Sequence, residues 1–389
     1  MKIRLDASFF NVRARWRSIA GGIACALTLA SCAGVAPSRS DVGFPVLGYY
    51  AWWMAPQDAE IDLTLIDTLF FFDIEIDSTG AIATDRGWPG AWTALIDRAR
   101  AASTHVVPVV TVPNEAAFRS LFQHPEAVTR LRETLVALAL DPASDGLHID
   151  FEVFSPMPSG TREAFTALVA GVAAEVRAAR PVALRPEGGG EATRPYAGLS
   201  VFLPAFDRPD AFDETAIAAA ADYVVVQGYD IHWKDAPRAG PIAPLRGWGG
   251  ENWEAILARY DALRIRRDRI VFAVPYYGFE WPTVSDEPGA ATRGPAQMVT
   301  YAPFDSLMPP DFAVAASHRI RENGHRRDTL SGAPYYAYQG EDGWYQGWFE
   351  DRESLKLKYD FIRHERLRGA ALFALGYDRG EMEPALWEE

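Results

Sequence analysis

Cysteine is almost absent from this sequence: its 389 residues include two, Cys25 and Cys32, both close to the N-terminus. Disulfides therefore cannot hold the rest of the chain together, whichever compartment it occupies. Apolar residues make up 49% of the sequence. That content is enough for the core of one large domain or of two ordinary ones.

Positive charge is also scarce. The chain carries 38 Lys and Arg against 52 Asp and Glu, which gives a formal charge of −14. This balance argues against nucleic acid or anionic lipid as the main partner, because both attract basic surfaces. The simplest interpretation of the negative charge is that it keeps an exported protein soluble.

The apolar run near the N-terminus, residues 18–30, is too short to span a bilayer as a mature helix. It follows a basic stretch that ends at Arg17, as in a targeting segment. The run leads into L-A-S-C at residues 29–32, which resembles a bacterial lipobox. We therefore expect residues 1–31 to be a signal peptide and Cys32 to be lipidated. An ordinary signal peptide with a chance cysteine is the alternative.

Acyl chains on Cys32 would anchor the protein to a membrane surface, with residues 32–43 as a tether. The next residue, Ala33, differs from the Asp associated with inner-membrane retention, which favours the outer membrane if the cell has one. The predicted location is thus the bacterial cell envelope, reached by export and held by lipid.

Strand and helix patterns alternate from Phe44 to the C-terminus without an internal repeat, as expected of βα units around a parallel sheet. The predicted strands lie near Phe44–Tyr50, Leu65–Ile76, His105–Val112, Ser144–Phe154, Leu199–Leu203, Tyr223–Tyr229, Ile270–Tyr277 and Ala370–Leu375. Helices are predicted at Glu115–Phe122, at Glu126–Leu140 and after a cap at Thr161. Eight such strands predict a (β/α)8 TIM barrel, an α/β fold whose active site lies at the C-terminal ends of the strands.

The fourth predicted strand carries ionisable side chains on one face. His148, Asp150 and Glu152 alternate with apolar residues, and successive side chains of a strand point to opposite faces. Helices on either side in the sequence can cover the apolar face, so the ionisable face must look into a barrel or cleft. Poorly solvated carboxyl groups there become proton donors near neutral pH. A buried structural ion network is the alternative.

The same stretch, S-D-G-L-H-I-D-F-E at residues 144–152, resembles the D-x-x-D-x-D-x-E signature of glycoside hydrolase family 18, the chitinase-like family. Asp145 matches the first position, Asp150 the third acidic position and Glu152 the last. His148 stands where the pattern has its middle Asp.

Three later segments are similar to the family in the same order. Residues 227–230, Q-G-Y-D, resemble M-x-Y-D, and residues 274–278, V-P-Y-Y-G, resemble V-P-F-Y-G. Residues 373–378, F-A-L-G-Y-D, resemble W-x-L-G-Y-D, with Phe373 in place of the Trp that floors the sugar pocket. The resemblance thus covers the chain from Phe44 onward.

Residues 282–349 are too many for a simple connection between the seventh and eighth strands. They end in a predicted hairpin, Tyr335–Gln339 with Trp344–Phe349. The resemblance identifies this insertion as a small α+β subdomain that raises one wall of the substrate groove.

The resemblance implies substrate-assisted hydrolysis, in which the 2-acetamido oxygen of the sugar attacks the anomeric carbon. Glu152 would be the general acid and later the base for water. Asp150 would orient the acetamido N–H and stabilise the positively charged intermediate. Tyr229 would hydrogen-bond the acetamido oxygen, and Asp230 would help to hold the sugar.

Further side chains are candidates for contact with substrate because they lie at or just beyond predicted strand ends. For each aromatic one, a role in the core is an equally open interpretation. They are Tyr50, Trp52, Trp53, Gln227, Trp233, Tyr277, Trp281 and Phe373.

His148 is interpreted as a satisfied core side chain, with a cationic pair to Asp150 as the alternative. No second His lies at a ligand spacing from it such as H-E-x-x-H, so no metal site is predicted. No cofactor is predicted either. Asp145 is expected to support the site.

Two functions from different classes follow. The first is a retaining hydrolase, expected as a monomer, that cleaves β-linked N-acetylglucosamine in chitin oligomers, peptidoglycan-type glycans or N-glycan cores. The second is a sugar-binding, lectin-like lipoprotein on the same barrel. The family that the sequence resembles includes non-enzymatic, lectin-like members, which commonly lack the last Glu of the signature. The presence of Glu152 therefore favours the enzyme.

Overall fold

The computed structural model describes residues 37–180, 197–304 and 314–388, so the predicted leader and Cys32 lie outside the described residues. In these ranges the strands are β1 (Val46–Ala51), β2 (Thr68–Ile76), β3 (Ile82–Thr84), β4 (His105–Thr111), β5 (Gly146–Ile149), β6 (Gly198–Leu203), β7 (Tyr223–Val226), β8 (Ile270–Pro275), β9 (Tyr277–Thr283), β10 (Gln297–Thr300), β11 (Val314–Ala315), β12 (Arg326–Arg327), β13 (Pro334–Gly340), β14 (Gly343–Trp348) and β15 (Gly369–Phe373).

The helices of the same ranges alternate with the strands in the first part of the chain. They are α1 (Arg39–Val42), α2 (Thr93–Ala101), α3 (Glu115–Gln123), α4 (Pro125–Leu140), α5 (Thr161–Ala179), α6 (Glu214–Ala220), α7 (Trp253–Ala262), α8 (Ala316–Asn323) and α9 (Arg352–Glu365).

Eight parallel strands of the described residues close into a barrel. They follow the order β1-β15-β8-β7-β6-β5-β4-β2, and β1 pairs with β2 to close the ring. The short β3 adds to the outer edge of β2 in the antiparallel direction. The predicted (β/α)8 TIM barrel and its eight strands are therefore confirmed, with strand ends that differ from the predicted ones by a few residues.

Alternate side chains of the strands fill the barrel interior. They form a separate apolar cluster of Leu47, Tyr49, Phe70, Val107, Val109, Tyr223, Val225, Val271, Ala273 and Ala371. Their neighbours in sequence, such as Tyr50 and Phe71, belong to the larger cluster between the strands and the helices. The barrel is thus a packed core, and a ligand can bind only above it, at one end of the strands.

Polar side chains begin several of the helices. Asn114, Asp213 and Asn252 each accept a hydrogen bond from the backbone N–H three residues later, at the starts of α3, α6 and α7. The expected cap at Thr161 is wrong. Gly160 occupies that position with a positive φ of 83°, and Thr161 is the first residue of α5.

A second sheet carries the insertion between β8 and the last barrel strand. Its strand order is β11-β10-β9-β14-β13-β12, and the hairpin of β13 and β14 matches the predicted one. With α8 it forms the expected α+β subdomain. Its first strand begins at Tyr277, directly after β8, rather than near residue 282.

The end of the predicted tether is folded onto the barrel. Residues 39–42 form α1, Val42 is fully buried, and Arg39 donates hydrogen bonds to the carbonyl oxygens of Ile66 and Ala102. No helix in the described part of the chain is long and apolar enough to cross a bilayer.

One buried ion pair joins the end of the subdomain to the barrel. Lys358 of α9 donates from Nζ to Oε2 of Glu350 at 2.7 Å, and the two side chains are 0% and 1% exposed. Glu350 follows β14 by two residues. Because neither charge can reach water, each depends on the other.

Replacing Lys358 with Met should therefore destabilise the protein by about 3–5 kcal/mol, since it leaves the Glu350 carboxylate buried without a countercharge. Lys356→Met is the matched control: this lysine pairs with Asp360 at 2.8 Å in a solvent-accessible position on the same helix. Its loss should cost less than about 1 kcal/mol. Urea unfolding of both variants measures the difference, and equal losses would contradict the argument.

Candidate active site

The carboxyl groups of the predicted fourth strand lie just beyond its end. β5 stops at Ile149, earlier than predicted, but the chain stays extended because Asp150 N–H donates to the carbonyl of Val110 at 2.9 Å. Phe151 and Val153 are buried in the outer core. The intervening Asp150 and Glu152 are thereby directed to the mouth of the barrel.

Asp150 is nearly inaccessible to water, at 8% exposed, and its Oδ1 has no hydrogen-bond partner among the described residues. Burial raises the pKa of this carboxyl well above its usual range, and the nearby charges of Glu152 and Asp73 raise it further. Asp150 thus has a carboxyl that is harder to ionise than an ordinary one, with one oxygen unpartnered, just beyond the end of β5.

Glu152 lies at the surface of a cavity, so water reaches its side chain, while protein surrounds it on the other sides. Partial loss of hydration raises its pKa to about 7, and the charge of Asp230 adds to this effect. A carboxyl group with such a pKa can give up or take up a proton near neutral pH.

The Q-G-Y-D segment follows β7 and brings Tyr229 and Asp230 to the same mouth. Tyr277 donates from its hydroxyl to Oδ1 of Asp230 at 2.6 Å. Burial raises the pKa of Asp230 to about 6, although the hydrogen bond from Tyr277 acts in the opposite direction and lowers it. Asp230 adopts a left-handed backbone conformation, with φ of 60°, which is uncommon for residues other than glycine and concentrates at functional sites.

Gly228 allows this segment to sit close to β8. A Cβ atom there would lie 2.2 Å from the carbonyl oxygen of Ala273, and Trp253 donates from Nε1 to the Gly228 carbonyl at 2.7 Å. A larger residue would push Tyr229 and Asp230 away from the barrel.

Phe373, at the end of β15, is half-buried among the aromatic rings of the mouth. Its ring centroid lies 5.4 Å from that of Tyr49, 6.1 Å from Tyr277 and 6.2 Å from Tyr229. It thus packs on the apolar cluster of the barrel interior. It is not among the residues that line the cavity beside Glu152.

His148 lies below the mouth and is completely buried. Its Nε2 is 2.9 Å from the Tyr49 hydroxyl, its Nδ1 is 2.9 Å from Ser200 Oγ, and its ring stacks on Phe70. Burial lowers its pKa to about 3, so the ring is neutral. The structure therefore supports the core interpretation. The cationic pair with Asp150 is wrong, although Nε2 and Oδ2 are 4.0 Å apart.

Three predicted residues do not reach the mouth. Asp145 lies at the opposite end of β5, where its Oδ2 accepts from Val106 N–H at 2.9 Å, so any support it gives is indirect. Tyr50 is 0% exposed and packs outward against Trp92, because Tyr49 is the residue of β1 that faces inward. Trp281 is fully buried and donates to the Lys234 carbonyl.

The other candidates lie where sequence reasoning placed them. Gln227 and Trp233 line the cavity beside Glu152, and Trp233 is 51% exposed. Trp52 and Trp53 follow β1 and are half-buried, and Trp53 donates from Nε1 to the Tyr377 hydroxyl at 3.0 Å.

The cavity has a volume of about 730 Å³ and extends from Glu152 along the loops after β6 and β7. This volume is within the range of small-molecule sites. Phe154, also 51% exposed, forms part of its wall. The loop that carries Phe154 is fixed by Glu115, whose Oε1 accepts from Phe154 N–H at 2.6 Å.

Sequence reasoning missed Asp73, which lies within β2, three residues before its end. It is buried, accepts from Thr111 Oγ1 at 2.6 Å, and lies 3.4 Å from Nε of Arg86, whose guanidinium stacks on Trp52. The sequence did contain a sign of it, because Asp73 is the one acidic residue in the otherwise apolar run F-F-F-D-I at residues 70–74. Phe154 and Glu115 gave no comparable signal, since their meeting depends on the fold.

The described ranges contain no group of three His, Cys, Asp or Glu side chains arranged to hold a metal ion. The groups at the mouth suit acid/base chemistry. They are Glu152 and Asp150, whose pKa values are raised, and Tyr229 and Asp230 on the loop after β7.

Replacing Asp230 with Asn should lower the pKa of Glu152, because it removes a negative charge that disfavours ionisation of the glutamate. The pKa should fall from about 7 towards, but not to, the usual value of about 4.3, since burial is the larger cause. NMR titration of ¹³C-labelled glutamate carboxyls measures it, with Glu152→Gln to assign the signal. The exposed Asp235, in the same loop, provides the control Asp235→Asn. An unmoved Glu152 titration would contradict the geometry.

Known proteins are similar to this chain in sequence or in structure. A rat di-N-acetylchitobiase is 25% identical over 248 residues, which cover 61% of this chain and 62% of that protein. This chain thus matches about three fifths of the length of that relative. Among solved structures, a family GH18 chitinase from Cycas revoluta superposes with a TM-score of 0.69 at 20% identity, covering 88% of this chain and 98% of the other.

The spore cortex-lytic enzyme SleL from Bacillus cereus superposes with a TM-score of 0.64 at 18% identity, covering 88% of this chain and 73% of the other. At these identities the two structures bear on the fold alone. The sequence profile of glycosyl hydrolases family 18 matches residues 45–378, nearly all of the barrel and its subdomain. The chain therefore belongs to glycosyl hydrolases family 18.

Proposed function

We propose that the protein is a retaining glycoside hydrolase that cleaves β-linked N-acetylglucosamine glycans with help from the substrate's own acetamido group. One observation carries the proposal: Glu152, with a pKa of about 7, lines a cavity together with Tyr229 and Asp230. Family membership and the name of the rat chitobiase support the same substrate class.

In the first step, Glu152 gives its proton to the glycosidic oxygen while the acetamido oxygen attacks the anomeric carbon. The bond between that carbon and the glycosidic oxygen breaks, and the sugar becomes a positively charged oxazolinium ring. Asp150 accepts a hydrogen bond from the acetamido N–H through its unpartnered Oδ1. Tyr229 donates its hydroxyl to the acetamido oxygen and aligns it for attack.

In the second step, ionised Glu152 takes a proton from a water molecule, which attacks the anomeric carbon and opens the ring. The anomeric configuration is retained because the carbon is attacked twice. Phe373 supports the reacting sugar from below. Tyr277 holds Asp230, while Gln227 and Trp233 contact the sugar from the cavity wall.

The location of the protein is part of the proposal. A lipid on Cys32 would hold the barrel at the bacterial cell envelope, with the outer membrane favoured where one exists. An envelope location gives access to glycans outside the cytoplasm, which include both chitin fragments and peptidoglycan strands.

Replacing Glu152 with Gln should reduce hydrolysis of N-acetylglucosamine oligomers by about 10²- to 10⁴-fold, because an amide cannot donate the proton. The full chain and its variant are compared by product release, and sugar binding is measured separately. Glu254→Gln is the control, since Glu254 is an exposed residue of α7 that pairs with Arg246. Normal hydrolysis by Glu152→Gln would refute the assignment.

If the native protein and the variant both bind oligosaccharides equally and neither cleaves them, the protein is a sugar-binding lipoprotein and not an enzyme. Products from the native protein would identify the glycan, since chitin oligomers, peptidoglycan strands and N-glycan cores release different fragments.

The pH dependence of the rate is a second prediction from the same residue. The first step needs protonated Glu152, whose pKa is raised to about 7. We therefore expect kcat/KM to fall by about tenfold per pH unit well above that value, as the protonated fraction falls. A rate that stays constant from pH 6 to pH 9 would exclude Glu152 as the acid.

A further inference from the structure

The cavity beside Glu152 is lined by charged side chains, and only some of these have an oppositely charged partner among the described residues. Its acidic and basic lining residues are Glu115, Glu152, Arg208, Asp230, His232, Arg238 and Glu251. Glu152 and Asp230 belong to the proposed reaction. The charges of the other five residues determine which ligands the outer part of the cavity accepts.

Four of these five contribute little net charge. Glu115 pairs with Arg119 at 2.9 Å, and Arg208 pairs with Glu251 across the loops after β6 and before α7. His232 lies with Nδ1 2.8 Å from the Pro241 carbonyl, and burial lowers its pKa, so the ring is neutral.

Arg238 is the exception. It is exposed, and no carboxylate of the described residues lies within ion-pair distance of its guanidinium. Its Nη1 donates to the carbonyl of Gly289 at 2.7 Å. One hydrogen bond of this kind fixes the side chain and leaves the positive charge and its remaining N–H groups available.

The loop under Arg238 is also fixed. Arg238 forms a β-bridge with Ala291, and Ala239 N–H donates to the Ala290 carbonyl at 3.0 Å. Thr292 donates from Oγ1 to the Ala236 carbonyl at 2.8 Å. The backbone that carries Arg238 is therefore held in place before a ligand arrives, which lowers the entropic cost of binding.

We propose that Arg238 binds a carboxylate carried by the sugar that neighbours the reacting N-acetylglucosamine. A natural glycan with this chemistry is the peptidoglycan strand after removal of its stem peptides, in which N-acetylglucosamine alternates with a sugar bearing a free lactyl carboxylate. This inference rests on the proposed function and narrows its substrate to an acidic glycan.

The surrounding charge makes such a residue necessary. The protein has a formal charge of −14, and Glu152 and Asp230 line the same cavity, so an anionic substituent meets repulsion unless a cation receives it. Arginine suits this task because its planar N–H groups match the two oxygens of a carboxylate. Neutral chitin oligomers gain nothing from it.

The test uses peptide-free peptidoglycan strands and the same strands with their lactyl carboxylates converted to methyl amides. The full chain should show kcat/KM about ten- to a hundredfold higher on the carboxylate form, the worth of one charge-assisted interaction. Arg238→Gln should abolish this ratio, and Arg238→Lys should restore part of it. High salt should reduce the ratio of the native protein.

Arg246→Gln is the matched control, because Arg246 is an exposed arginine that lies outside the cavity lining and pairs with Glu254. It should keep the full ratio. Thermal unfolding of Arg238→Gln separates a binding role from a purely structural one through the Gly289 contact. A native ratio near one, or a ratio unchanged in Arg238→Gln, would overturn the inference.

Calorimetric binding of a muramic-acid-containing disaccharide and of its methyl amide makes the outcome independent of catalysis. A preference for the carboxylate that disappears in Arg238→Gln supports the inference even if no strand is hydrolysed, in which case the proposed function fails alone. Hydrolysis of both strands without any preference in binding leaves the proposed function standing and refutes the role of Arg238.

Discussion

Partial burial of several carboxyl groups in one barrel mouth is the constraint around which this structure is built. Asp150, Glu152 and Asp230 each lose hydration there, which raises the pKa of each carboxyl; nearby negative charge raises the pKa values of Asp150 and Glu152 further. Such an arrangement costs free energy that the fold must offset elsewhere. The barrel does so with a closed ring of eight strands and an apolar interior directly beneath the mouth.

His148 limits the number of buried carboxyl groups near the mouth. A third carboxyl group at its position would add another buried charge below Asp150, whereas the neutral imidazole forms hydrogen bonds through both nitrogens, to Tyr49 and Ser200. A second acidic neighbour of Asp150, besides Glu152, comes from another strand, as Asp73. The reacting end of the site is therefore shaped by residues of β1, β2 and β6 as well as by β5.

The inserted subdomain contributes to the site through its first residue. Tyr277 begins the second sheet and also donates the hydrogen bond that orients Asp230. The next residue, Gly278, lets β9 and β14 of the second sheet approach closely, because a Cβ there would lie 2.1 Å from the Trp348 carbonyl. Packing of the subdomain and geometry of the mouth are thus coupled over two adjacent residues.

The sequence by itself determined the strand count, the barrel and the grouping of Asp150, Glu152, Tyr229 and Asp230. Strand-end segments in parallel βα units must converge on one edge, so their spacing along the chain is sufficient information. It also indicated the insertion and its final hairpin through the turn residues at 340–343.

Tertiary structure alone decided the rest. A strand that is buried on both faces shows no alternation of polar and apolar residues, so the sequence does not tell which of two adjacent tyrosines faces inward. The closed barrel shows that Tyr49 faces inward and Tyr50 outward. The meeting of Arg238 with Gly289, and the pKa of Glu152, depend on groups far apart in the chain. Charge compensation and desolvation are properties of three-dimensional surroundings, and a local sequence pattern does not encode them.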